Sequence, residues 1–275
     1  MRRTHLVPLL ALLTVVGLAT PAAADQRAPS VRPLTVLSFN IHHAAGLDGV
    51  FDLDRLTTEI RHTRADVIGL QEVDRNYGER SGWTDEPAEL ARRLGMHVVY
   101  GANLDLEPPA PGRPRRQYGT AILSRYPILE WHNTLLPKAR PEEEQRGLLE
   151  AVLNVRGLDV RAMTTHFQHD NAEARVLQAN AVAAAVRSAA EPVVLTGDLN
   201  ATPDTPEVRT LTAILADSHA EAGRGDGFTY PAEAPAARID YVLTDALPVV
   251  STVRPTEASD HRPTIAGLVV WGPRY

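Results

Sequence analysis

The stretch Val193-Val194-Leu195-Thr196-Gly197-Asp198-Leu199-Asn200 runs from an apolar triplet into polar residues through a single glycine. Val-Val-Leu before Thr-Gly-Asp reads as a buried strand entering a turn. Side chains two apart on an extended chain share a face, so Asp198 and Asn200 are expected on one edge. A carboxylate and an amide oxygen held together suit a hard metal ion or a polarised water. Other apolar runs end the same way, at Phe39-Asn40, at Gln71-Glu72 and, after a short loop, at Ser259-Asp260-His261.

Working outward from that run, the hydrophobic pattern alternates between short strands and amphipathic helices. Strands are expected over 34–41, 66–73, 97–101, 119–123, 128–135, 147–155, 158–167, 193–195, 239–243, 248–253 and 265–270. Helices are expected over 51–62, 86–94, 172–190 and 206–216. Among the helices, 172–190 carries Val176, Ala179, Val182, Ala183 and Val186 at helical spacing. Residues 104–117 are proline-rich with Arg113, Arg115 and Arg116, and read as a surface loop. That loop is either a solvated excursion or a substrate-contacting rim that attracts anions. Strands outnumber helices, which suggests two sheets packed face to face with helices outside.

The chain has 275 residues and no cysteine, so disulfides, zinc thiolates and thiol nucleophiles are excluded. Its length fits one large domain, expected over 34–271. The N-terminus has the pattern of a cleaved signal peptide over 1–24: Arg2-Arg3, an apolar stretch from Leu6 to Ala19, then Pro21-Ala22-Ala23-Ala24. Residues 25–33 are the expected linker, and the chain is expected to be secreted, without a transmembrane segment and as a monomer. The formal net charge is −6. An acidic domain lacks the electrostatic footprint of a non-specific nucleic-acid binder, so nucleic acid is not the favoured partner.

Several candidate residues lie at or near expected strand ends: Asn40, Glu72, His166, Asp198, Asn200, Asp260 and His261. Asp240 falls in the first half of Arg238-Ile239-Asp240-Tyr241-Val242-Leu243. Each has an ordinary reading alone, as turn chemistry, a strand bridge or a hydrogen-bonded histidine. Unrelated causes do not readily account for all of them together. His42-His43 follows the Asn40 strand, as turn residues, as pocket lining or as ligands of a softer metal such as Zn²⁺. Arg224-Gly225-Asp226 reads as a polar turn rather than an adhesion motif. Asn200-Ala201-Thr202 is a glycosylation sequon inside the proposed site, where a glycan would conflict with catalysis.

The order Ser38-Phe39-Asn40-Ile41, Leu70-Gln71-Glu72-Val73, Tyr118-Gly119-Thr120-Ala121-Ile122-Leu123-Ser124, Arg146-Gly147, Thr165-His166-Phe167, Gly197-Asp198-Leu199-Asn200, Arg238-Ile239-Asp240-Tyr241-Val242 and Ser259-Asp260-His261 resembles the endonuclease/exonuclease/phosphatase superfamily. The resemblance covers residues 34–270. It implies a DNase I-like four-layer α/β/β/α sandwich and metal-dependent cleavage of a phosphoester. By that resemblance Glu72, with Asn40 beside it, is the principal metal ligand and Asp260 a further one. Asp198 orients or deprotonates the attacking water, Asn200 holds the phosphate, and His261, paired to Asp240, stabilises its charge. His166 contacts a phosphate oxygen, and Tyr118 and Arg146 contact substrate. The oxygen ligands suit Mg²⁺ or Mn²⁺, with Ca²⁺ or Zn²⁺ as alternatives. The expected activity is hydrolysis of a small or lipid phosphodiester. A nuclease, a phosphomonoesterase or a catalytically inactive binding protein of the same fold are the alternatives.

Overall fold

The computed structural model describes residues 31–272. The expected signal peptide and residues 25–30 of the expected linker lie outside the described residues. The first half of the chain runs β1 (Val31–Asn40), α1 (Leu53–Thr63), β2 (Val67–Arg75), α2 (Glu86–Leu94), β3 (His97–Leu106) and β4 (Arg116–Ser124). Next come β5 (Ile128–Leu135), β6 (Gly147–Val155), β7 (Leu158–His166), α3 (Ala172–Ser188), β8 (Val193–Asp198) and α4 (Pro206–Thr212). The chain closes with β9 (Ala216–Asp217), α5 (Ser218–Ala222), β10 (Asp240–Thr244), β11 (Leu247–Val253) and β12 (Thr264–Trp271).

The strands form two six-stranded sheets, ordered β11-β12-β1-β2-β4-β3 and β5-β6-β7-β8-β10-β9. Each sheet holds one parallel pair, β1–β2 or β7–β8, and its other pairs are antiparallel. Parallel neighbours need a crossover, and α1 and α3 supply one each. Asp52 caps α1 by accepting from the backbone N–H groups of Asp54 and Arg55. Asn171 caps α3 through Glu173 N.

The period-two alternation of the strands sorts side chains into layers. On β1, Leu34 and Val36 enter the core between the sheets, with Val67, Val194, Val242 and Ala266. Leu37 and Phe39 face the other way, onto Leu53, Leu56 and Ile60 of α1 and Leu90 of α2. Met163, Leu195 and Leu243 of the second sheet pack on Val182 and Val186 of α3 and on Val208 and Leu211 of α4. The result is the expected four-layer sandwich.

Toward one end of the strands the layer between the sheets turns polar. Gln71 Nε2 donates to Thr164 Oγ1 across the sheets at 2.9 Å, and Gly197 N donates to Ser38 Oγ at 3.1 Å. Gly69 lets the sheets close here: a Cβ on it would sit 1.8 Å from Thr196 Oγ1. Beyond this girdle the layer opens to solvent.

Several boundaries differ from the sequence reading. β1 begins at Val31, so residues 31–33 of the expected linker are strand, paired with Val269, Val270 and Trp271 of β12. The expected 104–117 loop is shorter, because β3 runs to Leu106 and β4 starts at Arg116. The ladder between them continues through Asp105 and Gln117, and tertiary pairing overrides the prolines nearby. The helix expected over 206–216 stops at Thr212, and the chain re-forms as β9 and α5. Asp217 ends that stretch by capping α5.

Candidate active site

Paired strands carry the candidate residues to one rim. β1 ends at Asn40, β7 at His166 and β8 at Asp198, while antiparallel β10 starts at Asp240. His166 is in register with Asp198, and Asp198 with Asp240, so the three stand in a row across neighbouring strands. His166 and Asp198 open onto a cavity of about 330 Å³ that also meets Glu72, Tyr118, Glu144, Arg146, His169, Asn200, Tyr230, Asp260 and His261.

Two strained backbone positions complete the row. The β2–β4 register shifts between Leu70 and Val73, leaving Gln71 and Glu72 as a bulge. Glu72 there has φ +57°, and the bulge turns its carboxylate to Asn40, whose Nδ2 donates to Oε1 at 3.0 Å. Asn200 has φ +48°. Asp198 and Asn200 therefore do not meet by strand alternation, as the sequence suggested: Asp198 is the last strand residue, and Asn200 folds back through a left-handed turn. Its backbone N–H donates to Asp198 Oδ1 at 2.9 Å. Its Nδ2 donates to Phe167 O at 3.0 Å, so the sequon asparagine is built into the site.

Asp198 is the hub. Its Oδ2 accepts from Asn40 Nδ2 at 3.0 Å and lies 3.5 Å from His166 Nε2 and 3.6 Å from His261 Nε2. His261 Nδ1 donates to Asp240 Oδ2 at 2.9 Å. Burial opposes a charge on His261, but the carboxylates of Asp240 and Asp198 outweigh it and push its pKa up to about 10. Burial and the neighbouring Asp240 raise Asp198 to about 7, against His261 and the Asn200 N–H.

His166 is held differently. Burial and the Arg146 guanidinium keep it well below the usual histidine range, hence neutral. Arg146 Nη1 donates to its Nδ1 at 3.2 Å. At the other ring nitrogen, Asn200 Nδ2 lies 3.0 Å from Nε2, so two groups that only donate flank a neutral ring with a single lone pair. Arg146 is itself buried and paired with Glu144 at 2.6 Å. Tyr118 is buried beside Tyr77, with the Arg80 guanidinium 5.4 Å from its ring. Burial, then the Glu72 carboxylate, push its phenol well above its ordinary range.

Asp260 is partly exposed at the rim, accepting from Ser259 Oγ at 3.3 Å, with His42 Nδ1 3.8 Å from its Oδ1. Asn40 does not offer Oδ1 to Glu72: that oxygen accepts from His42 N at 3.1 Å. Glu144, His169 and Tyr230 went unnoticed in the sequence. They come from loops with no periodic signal, and Tyr230 reaches His261 with ring centroids 4.7 Å apart. In the Arg113–Arg116 loop two of the three arginines are engaged by the chain itself. Arg115 pairs with Asp105 and Glu107 at 2.7 and 2.9 Å, and Arg116 donates to Tyr77 O at 2.8 Å.

Among the described residues, two groups could hold an ion, with ligand atoms within 4.8 Å of one another: His42, His43 and Glu72, and Asp198, Asp240 and His261. In the second, His261 Nδ1 is committed to Asp240 at 2.9 Å, and the surrounding carboxylates favour the charged ring, which opposes ligation. The first fits a divalent ion better. One Glu72 oxygen is taken by Asn40, and His42 Nδ1 and His43 Nδ1 are buried without hydrogen-bond partners.

Residues 37–261 match the Endonuclease/Exonuclease/phosphatase family, and the chain belongs to it. Members are generally divalent-metal-dependent hydrolases of phosphoesters. Protein cwh43 of Schizosaccharomyces pombe is 30% identical over 172 residues, which is 62% of this chain but only 16% of that protein. An endonuclease/exonuclease/phosphatase crystal structure from Beutenbergia cavernae aligns at 28% identity and TM-score 0.72, over 88% of this chain and 72% of that one. The mannosyl-6-phosphatase Bt3783 of Bacteroides thetaiotaomicron aligns at 19% identity and TM-score 0.70, over 86% and 99% of the two chains. At that identity the likeness speaks for the fold alone.

Proposed function

We propose that this chain is a secreted, divalent-metal-dependent phosphodiesterase that hydrolyses a small or lipid-headgroup phosphodiester. The observation that carries the reading is Asp198 Oδ2 set 3.6 Å from the His261 ring, with Asp240 behind that ring at 2.9 Å. A carboxylate with a pKa near 7 and a cationic imidazole thus face one cavity, a base beside a fixed positive charge.

In this reading Glu72 and Asp260, with Asn40 beside them, would hold Mg²⁺ or Mn²⁺. The ion, when bound, draws charge from a phosphoryl oxygen. Asp198 takes the proton of the attacking water, a role worth about 10²–10⁴-fold. The cationic His261 stabilises charge developing on the phosphoryl oxygens, and Asp240 holds its ring in place. Asn200 and His166 hold the phosphate, while Arg146 holds the His166 ring in place. Tyr118 shapes the wall next to Glu72.

Substrate size follows from charge. The chain is acidic at −6, and Arg115 is neutralised by Asp105 and Glu107, which disfavours a nucleic-acid backbone. Among the described residues no helix is long and apolar enough to cross a membrane. Export rests on the N-terminal signal pattern, and N-terminal sequencing of the exported form should begin at Asp25. The direct test is a panel of sphingomyelin, phosphatidylinositol, inositol phosphates, DNA, RNA, bis-p-nitrophenyl phosphate and p-nitrophenyl phosphate, each with Mg²⁺, Mn²⁺, Ca²⁺ and Zn²⁺. Turnover of the diesters above the monoester, with shallow salt dependence, is expected. DNA or RNA cleavage with a steep salt slope overturns the small-substrate reading, and no turnover with any ion overturns catalysis.

A further inference from the structure

We propose that His42 and His43, together with Glu72, form a nitrogen-containing metal site that selects a late first-row transition ion such as Zn²⁺ or Co²⁺ over Mg²⁺. The functional meaning of this site rests on the phosphodiesterase reading above; its existence does not.

One ring nitrogen of each histidine and one Glu72 oxygen lie within 4.8 Å of one another. His42 Nδ1 and His43 Nδ1 are buried atoms with no hydrogen-bond partner. Buried polar atoms are nearly always paired, and a pair of turn histidines with no further role would be expected to bond these nitrogens to the chain. The rings meet edge to face, with centroids 4.5 Å apart and planes at 67°, so they do not satisfy one another by stacking.

The backbone delivers them at a cost. His42, His43 and Ala44 have φ of +45°, +42° and +57°, a left-handed run disfavoured for residues with a Cβ. It is held by His42 N donating to Asn40 Oδ1 at 3.1 Å and by Ala45 N donating to His42 O at 2.8 Å. Glu72 reaches the same place from a separate strained position in the β2 bulge. Two unrelated distortions thus bring donors face to face. Asp260 Oδ1, 3.8 Å from His42 Nδ1, adds an oxygen at the rim. Imidazole nitrogen suits Zn²⁺ and its neighbours, whereas Mg²⁺ takes oxygen and water, so this donor set discriminates by ligand type.

The test uses the tag-free mature chain stripped with chelator. Pulsed EPR of the Co²⁺-loaded protein reads ¹⁴N coupling from a directly bound imidazole, and calorimetry compares Zn²⁺ with Mg²⁺. Expected are imidazole ¹⁴N coupling and Zn²⁺ binding at least about 100-fold tighter than Mg²⁺. In His42→Gln/His43→Gln, Zn²⁺ should weaken by at least about 10-fold and Mg²⁺ by less than about 3-fold. Absence of ¹⁴N coupling in the wild type, which needs no variant to fold, overturns the site, as does equal Zn²⁺ affinity in a folded double variant. Hydrolysis of bis-p-nitrophenyl phosphate is followed in the same preparations. Turnover without nitrogen coupling overturns the histidine site and leaves the phosphodiesterase reading. Nitrogen coupling without turnover by any ion supports the site and overturns that reading.

Discussion

Asp198 and Asp240 stand directly opposite each other on β8 and β10, and the His261 ring lies between their carboxylates, 3.6 Å from one and 2.9 Å from the other. Two buried carboxylates at one ladder position repel. The cation between them offsets that repulsion and divides their roles: Asp240 is spent on holding the imidazole, and Asp198 keeps an edge toward the cavity.

Asp240→Asn keeps the shape and removes the charge behind His261. In metal-free protein the His261 pKa should fall from about 10 by at least about one unit, read by NMR titration of the ring. If Asp240 positions His261, kcat falls by about 10²–10⁴-fold with KM little changed. An unmoved His261 titration would show that Asp240 does not govern the ring.

For pH dependence, activity requires Asp198 ionised and His261 protonated. The rate should rise through about 7 and fall through about 10, as apparent values of the coupled pair, with the acid limb moving lower when a cation binds beside Glu72. Both groups have folded-state values above their unfolded ones. Each therefore binds its proton more tightly when folded, and its stabilising contribution is lost as pH rises toward the folded value. Melting of chelated protein should drop from pH 4 to pH 10. Asp198→Asn should flatten the lower part of that slope while abolishing turnover, checked by calorimetry across the pH series.

Gly69→Ala tests the approach of the two sheets. The added Cβ would sit 1.8 Å from Thr196 Oγ1, so the layer must spread. A loss of about 1–3 kcal/mol is expected in urea unfolding. Removing that hydroxyl with Thr196→Ala should recover part of it; full additivity of the two losses would argue against the contact.

Arg80→Ala should cost about 2–3 kcal/mol in urea unfolding. Asp74 is fully buried and takes two guanidinium bonds, at 2.9 and 2.7 Å, plus the Ser81 hydroxyl at 2.7 Å. Glu86 lies next to it, its pKa pushed well up by burial and by Asp74. Arg80→Lys should recover only part, because Lys cannot supply the fork.

Much was legible in one dimension. Strand and helix periods are local, set by which side chains a neighbour or solvent will cover, so the strand over 34–41 and the helix over 172–190 were readable from neighbouring residues. The apolar runs ending in Asn40, Glu72, His166 and Asp198 pointed to a shared polar rim. The misplaced boundaries fall where pairing outweighs local preference, as at β9 and along the Asp105–Gln117 ladder.

The sequence by itself determined the element types, the sandwich and the residue types gathered at its rim. Tertiary structure alone decided how they act on one another. Asp198 and Asp240 become partners only through ladder register, and Glu72 turns to Asn40 only because a bulge inserts a left-handed residue. Asn200 returns to Asp198 by a turn rather than by alternation, and His42 and His43 meet Glu72 only once β1 and β2 lie side by side. The physical reason is that side-chain periodicity is a property of neighbours along the chain. Charge placement, tautomer and coordination are instead set by distances of a few ångströms between residues far apart in sequence.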